Sequence, residues 1–339
     1  MKVGLTYDLK DDYKDSGLDA ETIAEFDAID TVEGIESALH KMGFQTDRIG
    51  HIKNLVHRLA QGDRWDFVFN ITEGLYGIAR EAQVPALLEA YQIPCTFSDA
   101  AGMSLMLDKG TTKLVLREHN IPTAPFKVVK TLDDLQDINL PYPLFAKPLA
   151  EGTGKGISGK SKIETAAQLK ESCTDLLRRF NQPVLVETYL SGREFTVGML
   201  GMDETTRVIG IMEVAIDETR GIGNYGYGNK TDFFDHISYS LLDEKKEPAL
   251  FKAVNDIAIA SWRALNCRDG GRLDIRCDDQ GVPHIMEINP LAGLRPGFSD
   301  LVVLCDLAGM DHPALIREIV TGTCARCGLI LPEAQHEAA

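Results

Sequence analysis

The stretch RLDIRCDDQGVPHIMEIN, residues 272–289, decides the reading of the whole chain. Two apolar-rich runs, GGRLDIRC and VPHIMEIN, flank Asp278-Asp279-Gln280-Gly281, a polar turn sequence, and together they predict a β-hairpin. Residues two apart on a strand share a face, so Glu287 and Asn289 project together and pairing brings Asp274 beside them. Two carboxylates and an amide then offer hard oxygen donors on one face. Magnesium is held in this way, with water and phosphate oxygens completing its shell. The interleaved Ile275, Ile285, Met286 and Ile288 suit an ordinary half-exposed hairpin equally well, so the neighbouring segments decide between the two.

Working outward, AKPLAEGTGKGIS (residues 146–158) places Lys147 at the end of a strand before a loop containing Gly152, Gly154 and Gly156. Backbone N–H groups in such a loop approach phosphate oxygens without side-chain obstruction, and Lys147 and Lys155 add positive charge. It is not a Walker loop: Gly156 follows Lys155 where Ser or Thr belongs, and Leu149 stands at the first glycine position. Next, VLVETYLSGREF (residues 184–195) reads as a strand through Glu187, a turn at Ser191-Gly192 and a new strand opening at Glu194. Such a connection can present backbone groups to an adenine edge and a carboxylate to ribose hydroxyls.

The remaining sequence sets the frame. At 339 residues the chain suits two or three packed subdomains, and 44% hydrophobic with 25% charged residues is the make-up of a folded soluble protein. A formal charge of -16 and a pI near 4.9 disfavour nucleic-acid and anionic-membrane surfaces. No run is long enough to span a membrane, the start MKVGLTYD lacks a secretory pattern, and seven scattered cysteines fit a reducing cytoplasm. Lys2 to Tyr7 reads as a buried strand; Ala28, Val32, Ile35, Leu39 and Met42 recur at helical spacing before Gly43. With Phe67-Val68-Phe69 and a helix from Glu81 to Tyr91, this predicts a small parallel sheet. Helices are also predicted over Glu164 to Phe180, Ala249 to Leu265 and after Pro313. GIGNYG (221–226) fits a dinucleotide fingerprint but no helix pattern follows it, the lone Cys324/Cys327 pair has no partners for zinc, and His284 reads as a packed or surface residue.

Taken in order, LDKGTTK, FAKPLAEGTGKG, VLVETYLSGREFTV, the hairpin and the following AGLRPGFSD resemble the ATP-grasp superfamily, and within it the D-alanine–D-alanine ligases. The resemblance implies an α/β architecture in three parts. These are an N-terminal parallel-sheet substrate domain (1–97), a small α+β central lid (98–190) and a C-terminal mixed-sheet domain with the metal ligands (191–339). It implies ATP and magnesium or manganese, two ions, as cofactors, small-molecule amino-acid or peptide substrates, and a homodimer built through the N-terminal half. Lys109 and Lys147 match the nucleotide-binding lysines, Glu151 with the Thr153-Gly154 backbone the loop over the phosphates, and Glu187, Tyr189 and Leu190 the adenine connection. Glu194 matches the ribose carboxylate, Lys230 the phosphate-facing lysine of a mobile loop, and Asp274, Glu287 and Asn289 the metal ligands. Arg272 would lie by the transferring phosphoryl group and stabilise its charge.

The substrate positions depart from the family. The Gly-rich turn with its glutamate is replaced by TYDLKDDYKDSG, leaving Glu25, Asp27 and Asp30 as candidates for the carboxylate that holds an ammonium group. NITEGLYGIAREAQ keeps Glu73 and Glu81 but introduces Arg80, while AGLRPGFS keeps Gly293, adds Arg295 and moves Ser299 by one place. Each added arginine suits either a bidentate contact to a substrate carboxylate or a structural salt bridge. The resulting expectation is an ADP-forming ligase that activates a carboxylate as an acyl phosphate and joins it to an amine, with altered substrates. An ATP-binding regulatory or assembly module is the alternative.

Overall fold

The structure, a computed structural model, describes residues 1–216 and 237–332. Three sheets organise it. The first contains β1 (Lys2–Tyr7), β2 (Gln45–Gly50) and β3 (Phe67–Ile71), all parallel in the order β2-β1-β3. Every residue of β3 is buried, as expected for a parallel strand covered on both faces. Phe67 and Phe69 point to Val32, Ile35 and Leu39 of α1 (Ile29–Lys41), whereas Val68 points to Leu55 and Leu59 of α2 (Ile52–Ala60) and Leu88 of α3 (Gln83–Ala90). The helical spacing from Val32 to Leu39 thus becomes the buried stripe of α1, and Gly43, at φ +87°, ends it.

The second sheet is antiparallel: β4 (Phe126–Val129), β5 (Leu144–Pro148), β6 (Lys162–Ile163) and β7 (Val184–Thr188), ordered β4-β7-β5-β6. α6 (Ala166–Phe180) lays Leu169, Cys173 and Leu176 on its inner face. A Thr165/Gln168 capping box starts this helix, and Asn181, in the left-handed region, stops it.

The third sheet, β10-β9-β8-β11-β12, comprises β8 (Glu194–Leu200), β9 (Arg207–Ile216), β10 (Ile237–Leu241), β11 (Gly270–Cys277) and β12 (Pro283–Asn289). The sequence suggests a mixed sheet, yet every pairing among the described strands is antiparallel. One face packs on α7 (Pro248–Ala264), α4 (Ala100–Leu107) and α5 (Lys109–Glu118) through Trp262, Met106 and Leu116. Residues 98–121, grouped with the central unit by sequence pattern, therefore supply core to the C-terminal sheet. The other face packs on α8 (Asp300–Leu307), and Gly198 makes this approach possible, since a Cβ there would meet Leu304 at 2.8 Å. α9 (His312–Cys327) closes the molecule by packing between this region and the first sheet. No helix among the described residues is long and apolar enough to cross a membrane.

Candidate active site

The hairpin forms as its sequence predicts, with Gly281 (φ +80°) in the turn. Asp274 stands opposite Glu287 and Arg272 opposite Asn289, and a bulge follows Asp274 so that Ile275 pairs with Ile285. That bulge matters because it reverses the alternation on β12. Ile285 and Ile288 both turn inward, to 1% and 2% exposure, while Glu287 and Asn289 stay on the face of Asp274. Asp274 accepts hydrogen bonds from Thr196 Oγ1 (3.1 Å) and Asn289 Nδ2 (3.0 Å), and Arg272 lies 3.5 Å from it and also pairs with Asp300 at the start of α8. Burial, with the repulsion of Glu287 and Asp300, holds the Asp274 carboxyl above its ordinary range against the pull of Arg272. The donor set fits a hard divalent cation: two carboxylates and an amide oxygen, the kind of set that phosphate oxygens complete. No group of three or more His, Cys, Asp or Glu side chains that could hold a metal is gathered among the described residues, so a cation here needs Asn289 and the substrate's oxygens.

Three lysines converge beside this face. Lys109, 4% exposed at the first turn of α5, reaches Glu287 Oε1 at 3.1 Å and donates to the Glu151 carbonyl at 2.6 Å. Lys147 of β5 and Lys113 of α5 grip the fully buried Glu187 of β7 at 3.0 and 2.8 Å. Burial disfavours every charge in this triad. The two lysines nevertheless bring Glu187 down to about 2, and Glu187, Glu287 and Asp274 keep Lys147 above its ordinary value. The side chain of Glu187 is thus engaged by Lys113 and Lys147. Tyr189 stacks near Phe145 and lies under Arg276 and Lys162, Leu190 is buried, and Glu194 pairs with Arg276 at 3.5 Å.

In the Gly-rich loop Thr153 (φ +53°) and Gly154 (φ +72°) are consecutive left-handed residues, and neither N–H has a hydrogen-bond partner among the described residues. Adjacent N–H groups in such a turn make a concavity for an anion. The loop is held from outside. Glu25 accepts from Gly152 N (2.6 Å), Lys155 Nζ (2.9 Å) and Arg80, and Arg80 also donates to the Ala150 carbonyl at 2.7 Å. Glu21 accepts from Gly156 N and from Arg179. Gln182 donates to Glu151 at 2.7 Å.

Both added arginines therefore take the salt-bridge option: Arg80 with Glu25, and Arg295 with Asp30 at 2.9 Å. Ser299 Oγ accepts from Arg295 N–H, and Gly293 sits against the same hydroxyl, where a Cβ would lie 2.8 Å away. Glu73 and Glu81 are half-buried, with no hydrogen bond or ion pair among the described residues, and both feel the charge of Arg80. Lys230 and the expected lid around Gly221 to Lys230, GIGNYG included, lie outside the described residues. Lys113, Thr196, Asp300 and Glu21 carry no motif of their own in the sequence, although Lys113, four residues after Lys109, shares its helix face; Glu25, a candidate for an ammonium group by sequence, meets Gly152, Lys155 and Arg80.

The family profile described as "D-ala D-ala ligase C-terminus" matches residues 115–321, which take in Lys147, the Gly-rich loop, the hairpin and Ser299. The chain belongs to the D-alanine–D-alanine ligase family. A D-alanine–D-alanine ligase of Pelotomaculum thermopropionicum is 27% identical over 314 residues, covering 89% of this chain and 93% of that protein. An uncharacterised Sinorhizobium fredii protein, y4sG, is 31% identical over 75% of this chain and 73% of its own length. Among solved structures, the Bacillus anthracis D-alanine–D-alanine ligase complexed with ATP aligns with a TM-score of 0.72 at 20% identity, covering 97% of this chain and 99% of that one. The VanG D-Ala:D-Ser ligase of Enterococcus faecalis also gives 0.72, at 17% identity over 95% of this chain and 99% of its own. The fold is the ATP-grasp fold of this ligase family, with one parallel and two antiparallel sheets.

Two expected results follow for this family member. A Cβ at Gly271 would meet Asn289 O at 2.5 Å and Trp262 at 2.7 Å, so Gly271→Ala should push β12 away from Arg272. A loss of about 1–3 kcal/mol in urea unfolding is expected; an unchanged midpoint would contradict that packing. Burial raises Asp27 and Glu81 to about 7, with Thr31 and Lys10 opposing the first and Arg80 the second. The folded state then keeps protons that the unfolded chain releases near pH 4, so stability is lost as pH rises from about 4 through 7. Glu81→Gln should flatten the fall in Tm between pH 5 and 8, and an equal fall in both proteins would refute it.

Proposed function

We propose that this chain is an ATP- and magnesium-dependent carboxylate–amine ligase that joins two amino acids, or an amino acid and a peptide or amine. The observation that carries this is the single face on which Asp274, Glu287, Asn289 and Arg272 meet, beside Lys109 and Lys147 and near a loop with two unpartnered N–H groups. Asp274, Glu287 and Asn289 would hold the divalent cation, which supplies charge neutralisation between the ATP phosphates. Lys147, fixed in its charged form by Glu187, and the Thr153-Gly154 backbone would orient the phosphates. Arg272 would face the phosphoryl group as it passes to the first substrate's carboxylate. The amine then displaces phosphate from the acyl phosphate; ADP and phosphate leave. Water must be kept out until that step, which suits a loop fastened to the N-terminal unit by Glu21 and Glu25. A nucleotide-binding module without turnover would have no use for a complete metal and arginine set.

Phosphate and ADP release with ATP, magnesium and a panel of D- and L-amino acids tests the reading. Amine-dependent release is expected. Nucleotide binding with no turnover of any acid and amine pair would defeat it.

A further inference from the structure

Two lysines one turn apart on α5 each join the C-terminal hairpin to the central unit. Lys109 does so at the metal face, through Glu287 of β12 and the carbonyl of Glu151. Lys113 does so deeper in the protein, where it is 1% exposed. A buried ammonium is tolerated only with strong partners. Lys113 Nζ pairs with Glu187 Oε2 at 2.8 Å, donates to Thr123 Oγ1 at 2.6 Å and lies 5.9 Å from the ring centre of Phe126.

Thr123 passes the contact on to the hairpin. Among the described residues β12 is the outer strand of the third sheet, so backbone groups of Ile285 that point away from β11 are open to a partner. Pro122 O accepts from Ile285 N–H at 2.9 Å, and the Thr123 hydroxyl, which accepts from Lys113, donates to Ile285 O at 2.9 Å. Ile285 stands beside the bulge that sets Glu287 opposite Asp274. From Thr123 the chain turns to the central sheet, where Pro125 O accepts from Thr188 N–H at 2.9 Å and Phe126 stands opposite Glu187.

The contacts form one continuous line. It runs from Lys147 through Glu187, Lys113 and Thr123 to Ile285, with links of 3.0, 2.8, 2.6 and 2.9 Å. Its ends are the lysine proposed to face the phosphates and the strand proposed to hold the cation. Short, charge-assisted contacts in a dry interior have little freedom to lengthen, so a shift at one end is carried to the other. A nucleotide's phosphates and its cation must both be met at a fixed separation, and a misplacement of about 1 Å can cost on the order of 100-fold in rate.

We propose that Lys113 is a positioning residue of the ligase reaction, which through Glu187 and Thr123 fixes Lys147 and the metal-holding hairpin at the separation that the nucleotide phosphates and their cation require. This rests on the ligase reading above and adds to it a residue that acts through others.

The imido analogue of ATP, which resists cleavage at its β–γ bridge, tests the proposal by titration calorimetry on the full chain, with magnesium and with EDTA in its place. Magnesium should tighten binding to the wild type, and the ratio of the two dissociation constants measures how well the phosphate lysine and the cation site act together. Thr123→Val cuts the link to the hairpin and keeps the Lys113–Glu187 pair. It should lower that ratio about 10-fold, the size of one charge-assisted hydrogen bond, at undiminished stoichiometry. Thr123→Ser, which keeps the hydroxyl, should recover the wild-type ratio. Lys113→Met should lower the ratio at least as far and also weaken binding in EDTA, because Glu187 then draws on Lys147 alone. Should Lys113→Met fail to fold, the two Thr123 variants still decide. A wild-type ratio in Thr123→Val, with only the unfolding midpoint lowered, marks a packing role and overturns the proposal while the ligase reading stands. An analogue that fails to bind the wild type, or binds it equally with and without magnesium, overturns both.

Discussion

Glu287→Ala is expected to reduce ADP release in the presence of ATP, magnesium and substrates by about 100-fold or more, with the fold intact. Glu287 faces Asp274 directly across the hairpin, and its carboxylate is the partner of Lys109. Removing it takes away one of the two carboxylates proposed to hold the metal. The lost charge also frees Lys109 from its contact, so the apparent affinity for magnesium should fall along with turnover. Titrating magnesium against activity separates these effects: a metal ligand gives a raised magnesium requirement, a mere packing residue does not. Activity and magnesium dependence both unchanged in Glu287→Ala would remove the metal assignment.

Glu187→Ala should be the most destabilising single change in the central sheet, by about 3–5 kcal/mol in denaturant unfolding. The substitution leaves two lysine ammonium groups, Lys113 and Lys147, buried without the carboxylate that both grip. The double change Glu187→Ala with Lys113→Met should recover part of the loss, because one uncompensated charge is removed with it. Linkage gives an independent check. The Glu187 carboxyl is depressed to about 2 in the folded protein, so its contribution is fully present above the unfolded value near 4.3 and is lost as pH falls through 2. Glu187→Gln should therefore narrow the difference from wild type in acid. Stability unaltered at neutral pH would show that the triad contributes nothing.

The family-level reading was legible in local patterns. The hairpin, the Gly-rich loop and the helix stripes of α1 and α6 each occupy a continuous stretch whose period or turn residues specify it. The roles of Glu25, Arg80 and Arg295 were not legible in the same way. Glu25 meets Gly152 across 127 residues and Arg80 across 55, and Arg295 meets Asp30 across 265. A carboxylate has the same signature in sequence whether it will grip a loop, pair with an arginine or await a substrate cation. Only its final neighbours decide.

The bulge after Asp274 illustrates the division. The sequence by itself determined that Asp274, Glu287 and Asn289 belong to one hairpin, because strand alternation and the turn at Asp278 to Gly281 are short-range properties. The tertiary structure decided that Ile285 and Ile288 both face the core while Glu287 and Asn289 remain together outside, since that register depends on packing against α7 and β8. It likewise decided which charges were spent. Arg80, Arg272 and Arg295 found carboxylates brought from distant segments, because ion pairing follows distance in space and not order along the chain.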